Sequence, residues 1–137
     1  MDHLSQVIVI LSFDVNHLIF DNADAYKDKG NEFYKNNNYD SAIKMYTKAI
    51  DMDPTPTYFT NRAAAYLQMK NFRMALRDCV SATEKDEKNV KAHFRASQAH
   101  LGLGEVTEAK RELDRALELA PNDNQIRNEV CLHAQQN

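Results

Sequence analysis

Five side chains in this 137-residue chain are of the types and at the spacing to grip a negative group together: Lys27, Asn31, Asn61, Lys91 and Arg95. Lys27 and Asn31 are four apart, as are Lys91 and Arg95, a step that puts two side chains on one face of a helix. Lysine offers three donors, arginine a fork of five and an asparagine amide two, so the set could hold several oxygens of a carboxylate at once. None of the five is an acid. A lysine or arginine alone on a helix is ordinarily a solvated charge, but the neighbourhood here breaks local rules. Gly30 and Asn31 are poor helix formers, costing together about 1.5 kcal/mol relative to alanines. Asn61 also lies away from a helix cap, where asparagine is comfortable. Residues that violate a local preference inside a consistent element often belong to a site.

The elements that must position these groups come from a threefold repeat. Gly30, Ala42 and Ala49 have counterparts in Ala63, Ala75 and Ala82, then in Ser97, Ala109 and Ala116, at offsets of 33 and 34 residues. Bulkier positions move in step: Tyr26, Phe59 and His93; Phe33, Tyr66 and His100; Tyr39, Phe72 and Val106; Tyr46, Cys79 and Leu113. Pro54 and Pro121 close the first and third units, and Glu87 stands where the second proline would be. Such a period marks stacked helical hairpins. Ala42, Ile43, Tyr46, Ala49 and Ile50 fall on one helical stripe. The first helices are expected near 24–36, 57–69 and 91–103, the second near 39–52, 72–85 and 106–119. Helices this short are marginal alone in water, so each hairpin must bury its stripe on the next.

The expected architecture is all-α: a right-handed superhelical solenoid of three hairpins, about 23–55, 56–89 and 90–123, within one domain over 23–137. A capping helix near 123–136, with Ile126, Val130 and His133 on its inner side, would cover the exposed end. Residues 1–22 are less legible. Leu4, Val7, Ile8, Leu11, Val15, Leu18 and Ile19 lie on a helical stripe, which fits an extra amphipathic helix, while a leader without fixed structure fits as well. If ordered, that strip needs covering, so the chain is expected as a monomer or a weak dimer through residues 1–22. Lodged in the groove, the same segment would be an autoinhibitory stand-in for a ligand.

A formal charge of −3 argues against nucleic acid, whose binders usually present a basic face. The apolar run Val7–Leu11 is far short of the roughly 20 residues of a membrane span and lacks the basic start of a signal peptide. Two cysteines make no disulfide framework; Cys79 and Cys131 are both expected as small buried hydrophobes. A catalytic reading would rest on Cys79, His93 and His100, all at repeat-core positions, where a nucleophile lacks its base and orienting group. His93 and His100 are seven apart with no further ligand at metal spacing. Neither an enzyme nor a metal or cofactor site is therefore expected.

Lys27-Asp-Lys-Gly-Asn31, Asn61-Arg-Ala-Ala-Ala-Tyr66 and Lys91-Ala-His-Phe-Arg95 resemble the tetratricopeptide co-chaperones of the carboxylate-clamp type, over residues 23 to 137. The resemblance implies a cytoplasmic adaptor that captures the acidic C-terminal Glu-Glu-Val-Asp of heat-shock proteins 70 and 90. In family terms Lys27, Asn31 and Asn61 would take the terminal carboxylate, and Lys91 and Arg95 the neighbouring acids. Tyr34 stands where the family packs the residue upstream of the acidic tail, a hint of heat-shock protein 90 over 70. Ala64, Leu67, Phe94 and Leu101 are expected as apolar floor, with the clamp side chains pointing to solvent in an empty groove. The short link from Met52 to Thr57 looks more like the phosphatase, ubiquitin-ligase, J-protein or organising-adaptor branches than the prolyl isomerase one. The alternative is a scaffold for a different acidic or internal peptide.

Overall fold

The computed structural model describes residues 22–136. The expectations for the N-terminal segment, its extra helix, dimer contact and autoinhibitory lodging, fall on residues outside that range. Seven helices follow one another among the described residues: α1 (Ala23–Lys35), α2 (Tyr39–Met52), α3 (Pro56–Gln68), α4 (Phe72–Lys85), α5 (Val90–Gly102), α6 (Val106–Leu119) and α7 (Asn124–Gln135). The second helices start and stop where the periodicity places them, and α1, α3 and α5 lie one residue earlier than expected.

Local chemistry explains the boundaries. Asn22, Asn38, Asn71, Asn89 and Asp123 each cap a helix, their side-chain oxygen accepting a first-turn N–H that would otherwise lack a partner. α3 has no side-chain cap and begins instead on Pro56, whose missing N–H costs nothing in the first turn. Between the two helices of each hairpin the chain reverses through a left-handed residue at the same repeat position: Asn37, Lys70 and Gly104, with φ of 60°, 59° and 78°. Each reversal is closed by the same bond, from Asn38 N–H to the Phe33 carbonyl, Asn71 to Tyr66 and Glu105 to His100, at 2.9, 2.9 and 2.8 Å.

Helices α1–α2, α3–α4 and α5–α6 pair as antiparallel hairpins, and α2 packs on α3 and α4 on α5 to stack them. The seams are made of small residues: Ala42, Ala49, Ala63, Ala75, Ala82, Ala99, Ala109 and Ala116 are all fully buried. Alanine at these places lets helix backbones approach closely without loss of helix propensity. α1, α3 and α5 adjoin one another in sequence order and form the inner layer, while α7 closes the far end, with Ile126 buried against Phe94, Leu113 and Ala116. This is the expected solenoid of three hairpins and a cap.

Two expectations about the core need correcting. Cys79 is buried, but Cys131 is exposed, because α7 is the last described helix and no other described helix covers its outer face. Leu101 does not join the groove floor; it lines a separate hollow with Val106, Leu113 and Val130.

Candidate functional site

The inner layer presents a hollow of about 410 Å³ lined by Tyr34 of α1, Ala64, Leu67 and Gln68 of α3, Phe72 of α4, Lys91, Phe94, Arg95 and Gln98 of α5, and Gln125 of α7. Of the groups singled out in the sequence, Tyr34, Ala64, Leu67, Phe94, Lys91 and Arg95 thus share one cavity. Asn31 and Asn61 are not among its lining residues; they meet between α1 and α3, where the Asn61 amide donates to Asn31 Oδ1 at 3.3 Å. Lys27 lies one helical turn before Asn31 on α1 and is less free. Its ammonium sits 3.6 Å from Asp24 and 3.5 Å from Asp28, acids of its own helix.

The empty groove is not a set of free side chains, contrary to expectation. Arg95 Nη1 donates to the Thr60 backbone carbonyl at 2.6 Å, which ties α5 to α3 and fixes the guanidinium. Burial pulls the Arg95 pKa below its ordinary value, with Cys79, Tyr34 and Tyr46 opposing that shift. Lys91, by contrast, is exposed. Asn31 Oδ1 accepts from the Tyr46 hydroxyl at 2.5 Å as well as from Asn61. Tyr46 is itself buried, and burial pushes its phenol up to about 12. Its ring needs Gly30: a Cβ there would stand 2.6 Å from Tyr46 Cε1. The unusual glycine beside Asn31 therefore makes room for the ring that holds Asn31.

A developing site of donors with fixed direction suits a group with several acceptor oxygens, and the apolar stretch from Ala64 and Leu67 to Phe94 suits aliphatic side chains beside it. The polar lining also includes Gln68, Gln98 and Gln125, which the sequence reading missed. Gln98 stands at the repeat position of Asn31 and Ala64, a signal that could have found it, whereas Gln68 and Gln125 carry no such pattern. Tyr46 was read as a core aromatic. The signal that it does more is that its counterparts, Cys79 and Leu113, carry no hydroxyl.

The residues of the catalytic reading are spread apart and engaged elsewhere. His93 bonds through Nδ1 to Glu112 at 2.6 Å and through Nε2 to the Glu87 carbonyl at 2.7 Å, so Glu87 holds its loop without the proline of the other units. His100 faces Glu105 at 3.4 Å. Burial pushes the Cys79 thiol up to about 12. Among the described residues no cluster of three or more His, Cys, Asp or Glu is placed to hold a metal ion, and no helix is long and apolar enough to cross a membrane.

Known proteins show the same pattern. The tetratricopeptide repeat family matches residues 23–56 and again 66–128. RNA polymerase II-associated protein 3 of Homo sapiens is 42% identical over 105 residues, 76% of this chain and 16% of that protein, so the chain spans only a small part of its curated relative. The first tetratricopeptide domain of Spaghetti (RPAP3), bound to the HSP90 peptide SRMEEVD, superposes with a TM-score of 0.80 at 39% identity, covering 85% of this chain and 93% of that one. The second such domain of human RPAP3, in complex with the HSP70 peptide SGPTIEEVD, gives 0.77 at 34% identity, covering 82% and 94%. The chain belongs to the tetratricopeptide repeat family.

Proposed function

We propose that this chain is a peptide-binding module of a co-chaperone, which takes the acidic C-terminal tail of heat-shock protein 90 or 70 into the groove between α1, α3, α5 and α7. The observation that carries it is one cavity lined by Lys91 and Arg95 together with Tyr34, Ala64, Leu67 and Phe94, beside an Asn31–Asn61 pair that bonds α1 to α3. Two similar domains seen with peptides ending in Glu-Glu-Val-Asp support it.

The free carboxylate of the tail's last residue takes the amides of Asn31 and Asn61 together with Lys27. Lys91 and Arg95 meet the acidic groups just upstream. The valine and the residue before the acids lie on Ala64, Leu67 and Phe94, with Tyr34 against the latter. Binding is the whole activity: no bond is made or broken, and the groups that could do so are engaged in the core. The cytosolic chaperones the site suits place its action in the cytoplasm.

Calorimetry against synthetic Met-Glu-Glu-Val-Asp as free acid and as C-terminal amide tests the reading. The free acid should bind and the amide should bind weakly, with affinity falling as salt rises. Replacing Lys91 or Arg95 by alanine should cost about 10- to 100-fold, since a charge-assisted hydrogen bond contributes roughly 1.5–3 kcal/mol. Equal binding of acid and amide would instead mark a scaffold for an internal motif. Unaltered binding by the Lys91→Ala, Arg95→Ala double variant would remove the clamp assignment.

A further inference from the structure

We infer that Tyr46 is a positioning residue of the carboxylate site: its hydroxyl donates to Asn31 Oδ1 and so sets which end of the Asn31 amide is left for a ligand. The inference rests on the proposed function and deepens it. An asparagine amide has two nearly isosteric ends, and only the NH2 end can donate to a carboxylate. Turned the other way, Asn31 would present a carbonyl oxygen to an anion and repel it. In this fold the choice is made twice over. Oδ1 accepts from Tyr46 at 2.5 Å and from Asn61 Nδ2 at 3.3 Å, so the oxygen is occupied and Nδ2 is the end left to donate to a ligand.

The buried partner is the stronger of the two constraints. Tyr46 comes from α2, the outer helix, and reaches Asn31 only because Gly30 leaves its ring room. The ring is 2% exposed, so water does not compete for the hydroxyl. With its pKa pushed up to about 12 by burial, the phenol keeps its proton across the working pH range and remains a donor. Asn61, bound to Asn31 through one N–H, has a second N–H still to give. One buried hydroxyl thereby orients a pair of amides. The equivalent positions in the other units, Cys79 and Leu113, have no such donor and no asparagine to orient: the residue in Asn31's place is Ala64 in α3 and Gln98 in α5.

Tyr46→Phe keeps the ring and removes only the hydroxyl. Titrated with Met-Glu-Glu-Val-Asp as free acid and as C-terminal amide, this variant should lose about five- to tenfold in affinity for the acid. The amide should be unaffected, so the discrimination between the two falls by the same factor. In an Asn31→Ala background the same change should have no further effect on acid binding, because the hydroxyl then has nothing to orient. A purely structural Tyr46 would weaken both peptides alike and would do so in either background. Tyr46→Phe with parental acid affinity, or an equal loss with and without Asn31, overturns the inference while leaving the groove's function intact. Failure of the parent itself to bind the acid overturns both. Should Tyr46→Phe not fold, side-chain NMR of the parent decides: the Asn31 NH2 signals should move on adding the free acid and stay in place with the amide, and NH2 signals indifferent to both peptides sink the proposal.

Discussion

The second and third hairpins carry an acid at the same repeat position, Asp78 in α4 and Glu112 in α6, and pair it differently. Asp78 receives two N–H groups of Arg62, Nε at 2.8 Å and Nη2 at 2.7 Å, and its side chain is 4% exposed. Arg62 also donates to Thr47 of α2 at 3.0 Å, so one guanidinium joins three helices of the first two hairpins. Glu112 meets His93 within its own hairpin at 2.6 Å, and its side chain is 31% exposed. The Arg62 pKa is raised, chiefly by its hydrogen bonds to Asp78. Burial pushes the Asp78 pKa upward as well, against the pull of Arg62. The same position in one fold is thus a buried junction in one unit and a half-open one in the next. The energetic consequence of losing the acid should follow burial and not the length of the bond.

Asp78→Ala should be the most damaging single change. It leaves a largely buried guanidinium without its counter-charge, a defect of about 3–5 kcal/mol, readable from urea unfolding with both probes of helicity and fluorescence. A loss below about 1 kcal/mol would mean that water reaches Arg62 and the junction is not closed. Replacing both partners with apolar residues, Arg62→Met with Asp78→Leu, should restore stability to within about 2 kcal/mol of the parent, since neither charge is then stranded. If the double variant is no better than Asp78→Ala, the pair holds the hairpins by more than charge. Glu112→Ala should cost only about 1 kcal/mol, because water replaces the carboxylate beside His93 and the Glu87 carbonyl keeps its own bond. Similar losses for Asp78→Ala and Glu112→Ala would erase the contrast.

How much of this could be read in the sequence follows from where the information lies. The hairpins were legible because alanines recur at fixed offsets and the apolar stripe has helical period, both one-dimensional signals. The candidate clamp residues were legible because Gly30, Asn31 and Asn61 disobey helix preference. What failed depends on the neighbour each unit happens to have. Leu67 and Leu101 occupy the same repeat position, yet Leu67 packs on the second and third hairpins beside Ala63, Ala75 and Ala96, whereas Leu101 meets α7 and looks into a different hollow. Cys131 obeys the pattern of a buried small residue, yet it is exposed on α7, the last of the described helices. The Arg62–Asp78 pair joins residues 16 apart in a hairpin, and the repeat offers no matching pair to announce it: Met45 stands at Asp78's place in the first unit.

The smallest expected effect concerns another junction between the first two hairpins, where the Tyr58 hydroxyl of α3 donates to Asp24 Oδ1 of α1 at 2.5 Å. Unlike Asp78, Asp24 is open to solvent, so its bond should matter only through its pH dependence. The Tyr58 hydrogen bond, and after it the charge of Lys27, hold the Asp24 carboxyl below its ordinary value. A folded-state pKa lower than the unfolded one means that the ionised form stabilises the fold above roughly pH 4, and that this contribution is lost as pH falls through the depressed value. Tyr58→Phe removes the principal cause and keeps the ring, which is buried with Ala23, Ala49 and Ile50. The variant should melt on the order of 2 °C below the parent at pH 6 to 7, and the two melting curves should converge as pH falls toward 2 to 3. A gap that stays constant across that range would assign the loss to packing of the ring, and would make this junction apolar in effect despite its hydrogen bond.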